Sequence, residues 1–251
     1  MPFKTKFKFL IFTFLAVCCL PAVYAGPDKS SFSPLFNVKN LDGWEGDKRF
    51  WSVRDGILTG ETSEDNKAEK NTFLIYRAKE YSNFELRFKY QVKGFNSGIQ
   101  YRSVDKGEFV VHGLQADFEA EWHKNQDTNE TFDRFSGMFF EEGNRMFMGQ
   151  RGDVVIVRSN PEDPKKPKIE KIASTGDPKE LVKVIKRDDW NDYTVIANGN
   201  QFIHIINGRV MAIGIDEDPL NFRTTGILAF QLHAGTPMKI QIKDLKIREL
   251  K

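Results

Sequence analysis

The chain has 251 residues, 40% of them hydrophobic and 29% charged, and a formal net charge of +2. Its two cysteines, Cys18 and Cys19, fall in an N-terminal segment that reads as a signal peptide, and removing it takes away both thiols and three lysines and leaves a formal charge of −1. The remainder therefore has no disulfide framework, no thiol chemistry and no net basic field to attract nucleic acid or anionic lipid.

Lys4, Lys6 and Lys8 open that segment, and Phe9 to Leu20 form an apolar stretch too short to span a bilayer, which takes about 20 residues. Val23-Tyr24-Ala25 then places small residues at −3 and −1 of a cleavage before Gly26. Residues 1–25 are expected to be the signal peptide and 26–251 a single domain of an exported protein, periplasmic or extracellular. The rival is a lipoprotein anchored through Cys18, which the bulky Val17 disfavours. No later stretch is long and apolar enough for a transmembrane helix.

Beyond Gly26 the pattern alternates. In Phe84-Glu85-Leu86-Arg87-Phe88-Lys89-Tyr90 every second residue is apolar, the mark of a strand with one buried face. Similar runs occur at 98–102, 113–119, 154–158, 193–198, 202–206, 226–233 and 238–248. Asn198-Gly199-Asn200 and Asn207-Gly208-Arg209 read as hairpin turns. Only the stretch after Asp177 looks helical, with Asp177 as N-cap and Pro178 in the first helical position. The polar segments 121–133, carrying Trp122 and His123, and 160–168, with three prolines, read as insertions. Twenty-two phenylalanines suit the core of a double-sheet sandwich.

Several site types are absent: no Gly-rich phosphate loop, no His-Glu-x-x-His, no Gly-x-Ser-x-Gly elbow. Polar residues on strand faces stand out instead. Gln100 and Arg102 share one parity, as do Gln115, Asp117 and Glu119, and Gln231 and His233. If these strands are neighbours, one sheet presents an apolar face to the core and amide, carboxylate, guanidinium and imidazole groups on the other. Such a face suits a sugar, which needs many directional hydrogen bonds. An antiparallel sheet with an ordinary solvated face would show a similar alternation.

The strings are more specific than the alternation. Pro34-Leu35-Phe36-Asn37 with Leu41-Asp42-Gly43-Trp44 resembles the opening of the bacterial 3-keto-disaccharide hydrolase domain family. The likeness continues through Trp51–Glu61, Asn71–Leu74, Phe84–Leu86, Asn96–Arg102, Gly113–Asp117, Trp190-Asn191, Ile206–Gly208 and Gly226–His233, in order, over nearly all of Ser33–Lys251. One departure is Asn37-Val38-Lys39-Asn40, where the family usually has Asn-Gly-Lys-Asp; the segment 121–133 is another.

The resemblance implies an all-β, concanavalin A-like jelly-roll sandwich, with one short helix and long surface loops, acting on sugars oxidised at C3. The implied route removes the acidified C2 hydrogen, expels the anomeric substituent and hydrates the product. It asks for a base, for which Asp117, Glu119, Glu61 and His233 are candidates, and for a group at the C3 oxygen, for which Arg102 is expected. Gln100, Gln115, Asn96 and Gln231 would orient hydroxyls, one of Glu141 and Glu142 would point inward, and Trp122 would shape the rim. A divalent metal held by His233 and carboxylates is a further arrangement these residues allow, although no ligand spacing marks it. The alternative function is a non-catalytic, lectin-like sugar-binding sandwich.

Overall fold

The structure, a computed structural model, describes Met1 and residues 31–120 and 123–251. The signal-peptide segment and Trp122 lie outside the described residues. Among those described, two large sheets make a jelly-roll sandwich, their strands antiparallel except for one parallel pairing within the ten-stranded sheet, of Asp153–Arg158 with Arg209–Glu217. The ten-stranded sheet runs in the order Lys168–Ser174, Asp153–Arg158, Arg209–Glu217, Gln201–Ile206, Asn191–Asn198, Phe84–Lys93, Lys239–Glu249, Ile57–Glu61 and Trp51–Arg54, with Ser33–Pro34 also paired to Lys239–Glu249. The seven-stranded sheet runs Met146–Gly149, Phe139–Glu142, Val110–Glu119, Asn96–Gly107, Ile227–Leu232, Thr72–Tyr76 and Trp44–Glu45.

The alternating phenylalanines meet between the sheets. Phe88 stacks on Tyr193 at 5.4 Å between ring centroids and meets Phe230 edge-on at 5.3 Å, while Tyr90 lies 4.4 Å from Phe118. Offset and edge-to-face arrangements of this kind add to plain area burial. His204 bridges the layers: Nε2 meets the Tyr101 hydroxyl and Nδ1 the Met138 carbonyl, each at 2.9 Å. With no charge beside it, burial pushes its pKa down to about 4.

Both Gly-containing turns close hairpins, and Asn207 and Gly208 hold positive φ angles of 47° and 77°. The helix Pro178–Leu181 starts at Asp177, whose side chain accepts from the Lys179 N–H, and continues as a 3₁₀ turn, Val182–Val184. Segment 121–133 contains a small hairpin, His123–Lys124 with Thr131–Phe132. Val38 adopts φ 57°, a conformation that suits the glycine the resembling family has there and strains a β-branched residue.

Candidate functional site

The seven-stranded sheet turns Ile99, Tyr101, Leu114, Ala116, Phe118 and Phe230 into the main core. Its other face follows from the register: Gln100 opposes Gln115, Gly98 opposes Asp117, Asn96 opposes Glu119, and Ala229 opposes Gln100. Cross-strand partners share a face, so Asn96, Gln100, Gln115, Asp117, Glu119 and Gln231 come together on one side, as their parity predicts. A small apolar patch of Phe73, Ile75, Val111 and Ala229 borders them.

Gln100, Gln115, Asp117 and Gln231 form a connected, buried network. Ser103 donates to Gln100 Oε1 at 2.9 Å, and Gln100 Nε2 donates to Gln115 Oε1 at 2.7 Å. Gln115 Nε2 donates to Asp117 Oδ1 at 2.5 Å and lies 3.5 Å from Gln231 Oε1. Gln231 Nε2 in turn donates to Glu142 at 3.1 Å, and Asn71 Nδ2 donates to the same carboxylate at 3.2 Å. Gly98 makes room for this: a Cβ there would lie 2.6 Å from Gln115 Cγ, so the glutamine crosses over the glycine. Glu142 and Gln231 belong to strands separated by two others, about 14 Å apart in a flat sheet. Their side chains therefore lie flat across the face.

Among the described residues, Asp117 has no cation beside it. Burial drives its pKa well above the usual carboxylate range; the Gln115 amide opposes that shift, and the charges of Glu119, Glu142 and Asp133 reinforce it. Among the described residues, none donates to its Oδ2. Asn96, one row along the same face, has a buried Nδ2 with no hydrogen-bond partner. Buried donors are seldom left unpaired. The face is bordered by aromatic rings that climb toward the 123–135 segment. Phe140 lies 5.2 Å from Phe147, Phe147 lies 5.8 Å from Phe135, and Phe135 meets His123 at 4.9 Å.

Other expected members take different places. Arg102 leaves the face because the chain bulges there: its φ is 47°, and the pairing register shifts between Tyr101 and Val104. A bulge reverses the alternation. The guanidinium instead donates to the Ser82, Gly199 and Arg223 carbonyls and to Asn83 Oδ1, and packs over Phe202 and Phe222. Glu61 belongs to the other sheet, paired with Arg54 and, at 3.7 Å, with Lys239. Glu141 opposes the core-facing Leu114 and joins Arg145 at 2.5 Å, beside Asp216 and Asp218. Its neighbour Glu142 is the member of the pair that lies on the amide face.

Glu119 remains on the polar face, but its Oε1 accepts from the Arg134 and Phe135 backbone N–H groups and its Oε2 lies 3.4 Å from His123, so it anchors the loop. His233 sits at the end of the face beyond Gln231, its Nδ1 2.8 Å from the Ala234 carbonyl and its ring edge-on to Phe95 at 4.7 Å. Trp44, in the opening motif, is core: its Nε1 donates to the Leu35 carbonyl at 2.8 Å. Among the described residues, no three His, Cys, Asp or Glu side chains cluster to hold a metal ion. Asn71 was not a candidate, yet its parity with Phe73 and Ile75 was the available signal; lying one residue before the strand Thr72–Tyr76 hid it.

A jelly roll that carries a buried array of amides and carboxylates on one face has the build of a carbohydrate-active protein, hydrolase-like or sugar-binding. The model of the 3-keto-alpha-glucoside-1,2-lyase-like domain matches residues 31–248, and the chain belongs to that family. Among solved structures it is similar to two Parabacteroides distasonis proteins that carry the name glycosyl hydrolase provisionally. One is 18% identical with a TM-score of 0.56, covering 88% of this chain and 100% of the other. The second is 17% identical with a TM-score of 0.55, covering 88% and 94%. A Bacillus subtilis protein of unknown function with a galectin-like fold is 12% identical with a TM-score of 0.52, over 88% and 95%. At these identities the likeness is one of fold. No curated protein matches the chain. Among the described residues no helix is long and apolar enough to cross a membrane.

Proposed function

We propose that this is an exported enzyme that cleaves 3-keto-glycosides, 3-keto-disaccharides among them, by elimination across C1–C2 followed by hydration. The observation that carries the reading is Asp117: a buried carboxylate with a raised pKa, no cationic partner and one oxygen without a donor, in a frame of amides. A base removing the hydrogen next to a ketone works best with a pKa drawn toward the working pH, and burial moves a carboxylate that way.

In the first step ionised Asp117 takes the C2 proton, and the electron pair passes into the C3 carbonyl as an enolate. The unpaired Asn96 amide replaces Arg102 as the expected donor to that oxygen. The enolate collapses, the C1–O bond breaks with its pair going to the departing oxygen, and C1=C2 forms. The proton held by Asp117 returns to the leaving group, with His233 at the end of the face as the other candidate for that transfer. Water then adds to the 2-hydroxy-3-keto-glycal, so the sum is hydrolysis. This differs from a two-carboxylate glycosidase, which passes through an oxocarbenium-like state. Gln100, Gln115, Gln231 and Glu142 would orient the ring hydroxyls.

The test incubates the protein in deuterium oxide with a 3-keto-disaccharide and, in parallel, its unoxidised parent. The keto sugar should be cleaved with deuterium entering at C2, and the parent should be inert because its C2–H is not acidic. Cleavage of the parent without C2 labelling would overturn the elimination route; saturable sugar binding with no turnover of either would favour the lectin-like alternative.

A further inference from the structure

On the other side of the sandwich from Asp117, the outer face of the ten-stranded sheet carries a lane of cations. It runs along two paired strands, Phe84–Lys93 and Lys239–Glu249. Phe84, Leu86, Phe88, Tyr90 and Val92 are buried in the core, so Arg87, Lys89, Gln91 and Lys93 turn outward. The register then sets cation against cation. Arg87 opposes Lys246, Lys89 opposes Lys243 and Lys93 opposes Lys239, with Gln91 opposite Gln241 among them. Like charges directly across a ladder are unfavourable. Three such pairs share a lane about 20 Å long, six residues at roughly 3.4 Å each.

Carboxylates offset this charge only in part. Glu85 is shared by Arg87 and Arg248, Lys89 lies 3.9 Å from both Asp192 and Asp244, and Lys239 lies 3.7 Å from Glu61. Among the described residues, Lys93, Lys243 and Lys246 have no carboxylate partner, so seven cations meet four carboxylates. Aromatic rings hold several of the cations in place. Arg87, Arg248 and Lys246 gather over Phe32 at 4.7, 5.0 and 5.4 Å, and Lys243 lies 3.9 Å over Trp190. Arg87, Lys89 and Lys246 also line a groove of about 640 Å³, with Thr194 and Phe36 beside them. Ligand sites occupy about 300–1,000 Å³.

We propose that this lane binds an acidic polysaccharide, a sugar chain carrying carboxylates or sulfate esters. Its anions would sit over the opposed cations, and its hydroxyls would meet the amides of Gln91 and Gln241 between them. An anion placed between two like charges turns their repulsion into attraction, so a pattern unfavourable in the free protein contributes to binding. A single-stranded nucleic acid would need free aromatic faces for its bases, and Phe32 and Trp190 are covered by cations. An anionic membrane would need apolar side chains to insert, and the outward positions of this lane are charged or amide. The reading does not rest on the chemistry proposed for Asp117.

The experiment titrates the purified protein calorimetrically with an oligogalacturonate, a heparin oligosaccharide and neutral cellohexaose. One or both acidic chains should bind saturably, at least about 3-fold more weakly when salt rises from roughly 50 to 300 mM. Binding of the galacturonate alone identifies carboxylates as the anions, and binding of heparin alone identifies sulfate esters. The combined variant Lys89→Gln, Lys243→Gln, Lys246→Gln should lose about 10-fold or more in affinity, from three exposed charge contacts. It should unfold at the same temperature as the parent or higher, because opposed charges are removed. A control with the same net charge, Lys165→Gln, Lys166→Gln, Lys168→Gln, alters the far edge of the same sheet and should bind as the parent does. Equal loss in the control, equal binding of cellohexaose, or no saturable binding at low salt would overturn the proposal. So would tighter binding of an anionic vesicle or a single-stranded oligonucleotide that the lane variant abolishes.

Discussion

Two of the clusters of buried charged and polar groups in this sandwich are built on opposite principles. Around Arg145, one guanidinium meets three carboxylates: Glu141 at 2.5 Å, Asp216 at 2.7 Å and Asp218 at 3.3 Å. Around Asp117, a carboxylate is framed by glutamines and an asparagine and, among the described residues, meets no cation. The protonation equilibria follow. The Arg145 guanidinium is held more firmly charged by its partners, and Asp218 is held below its ordinary value, burial being outweighed by donors from Asn221, Ser159 and the backbone and by Arg145. Asp117 is pushed up. A buried charge with its counter-charge is a latch; a buried acid without one is poised to exchange a proton. On the proposed function, the first cluster is architecture and the second carries the chemistry.

The largest effect expected is at Asp117. Asp117→Asn should lower turnover of a 3-keto-glycoside by about 10²–10⁴-fold, the usual worth of a positioned base, while thermal unfolding shows a fold as stable as the parent or more so. The pH dependence has a defined sign. A carboxyl group whose folded-state pKa is raised contributes stability at low pH that is lost as the pH rises through that pKa. The asparagine variant should lose that slope, and kcat/KM of the parent should fall on the acid side at a pH above the ordinary carboxylate value of about 3.9. A variant with full turnover would put the two clusters in the same class.

Arg145→Met should do the reverse. Stranding three buried carboxylates should cost about 3–5 kcal/mol in chemical denaturation, with turnover per folded molecule kept. Loss of turnover in protein that is demonstrably folded would move the Arg145 cluster into the chemistry.

His204 lies between the two kinds: buried, hydrogen-bonded at both nitrogens, without a counter-charge. Its folded-state pKa is lowered to about 4 from 6.5, so the unfolded chain takes up the proton first. Stability should decline as pH falls from about 6.5 to 4, by up to about 3 kcal/mol from this group. A His204→Gln variant, compared by urea titration at both pH values, should show a smaller decline.

Arg102 tests whether a buried cation held by carbonyls behaves as a latch. Arg102→Ala should destabilise by about 1–3 kcal/mol by leaving those acceptors unpaired, with unchanged kcat and KM. A selective fall in kcat would restore it to the enolate. The smallest effect lies outside both clusters: Val38→Gly should raise stability by about 1 kcal/mol by relieving its left-handed backbone, read as a shift in melting temperature with activity unaltered.

Much of the face was legible in the sequence for a local reason. A strand turns successive side chains to opposite sides, so the parities of Gln100, Gln115, Asp117 and Gln231 carried over into space wherever the strands stayed regular. The turns at Gly199 and Gly208 and the start of the helix at Asp177 were legible too, because each depends on the backbone preferences of a few adjacent residues. The order of strings running from Pro34 to His233 marked the family for a different reason: it records many positions at once.

What the tertiary structure decided is where locality fails. Arg102 shares a parity with Gln100, yet one residue of positive φ within a strand reversed its side, and nothing in the neighbouring residues announces a bulge. Glu141 and Glu142 look alike in sequence; which one faces the amides depends on the pairing of Phe139–Glu142 with Val110–Glu119. The contact of Gln231 with Glu142, and that of Asn71 with the same carboxylate, join segments far apart in the chain across intervening strands. The raised pKa of Asp117 likewise belongs to no local pattern, because it comes from what surrounds and covers the carboxylate. Sequence set the chemistry available to each strand, and the packing of distant strands determined which of those groups met, because contacts and desolvation are properties of neighbours in space.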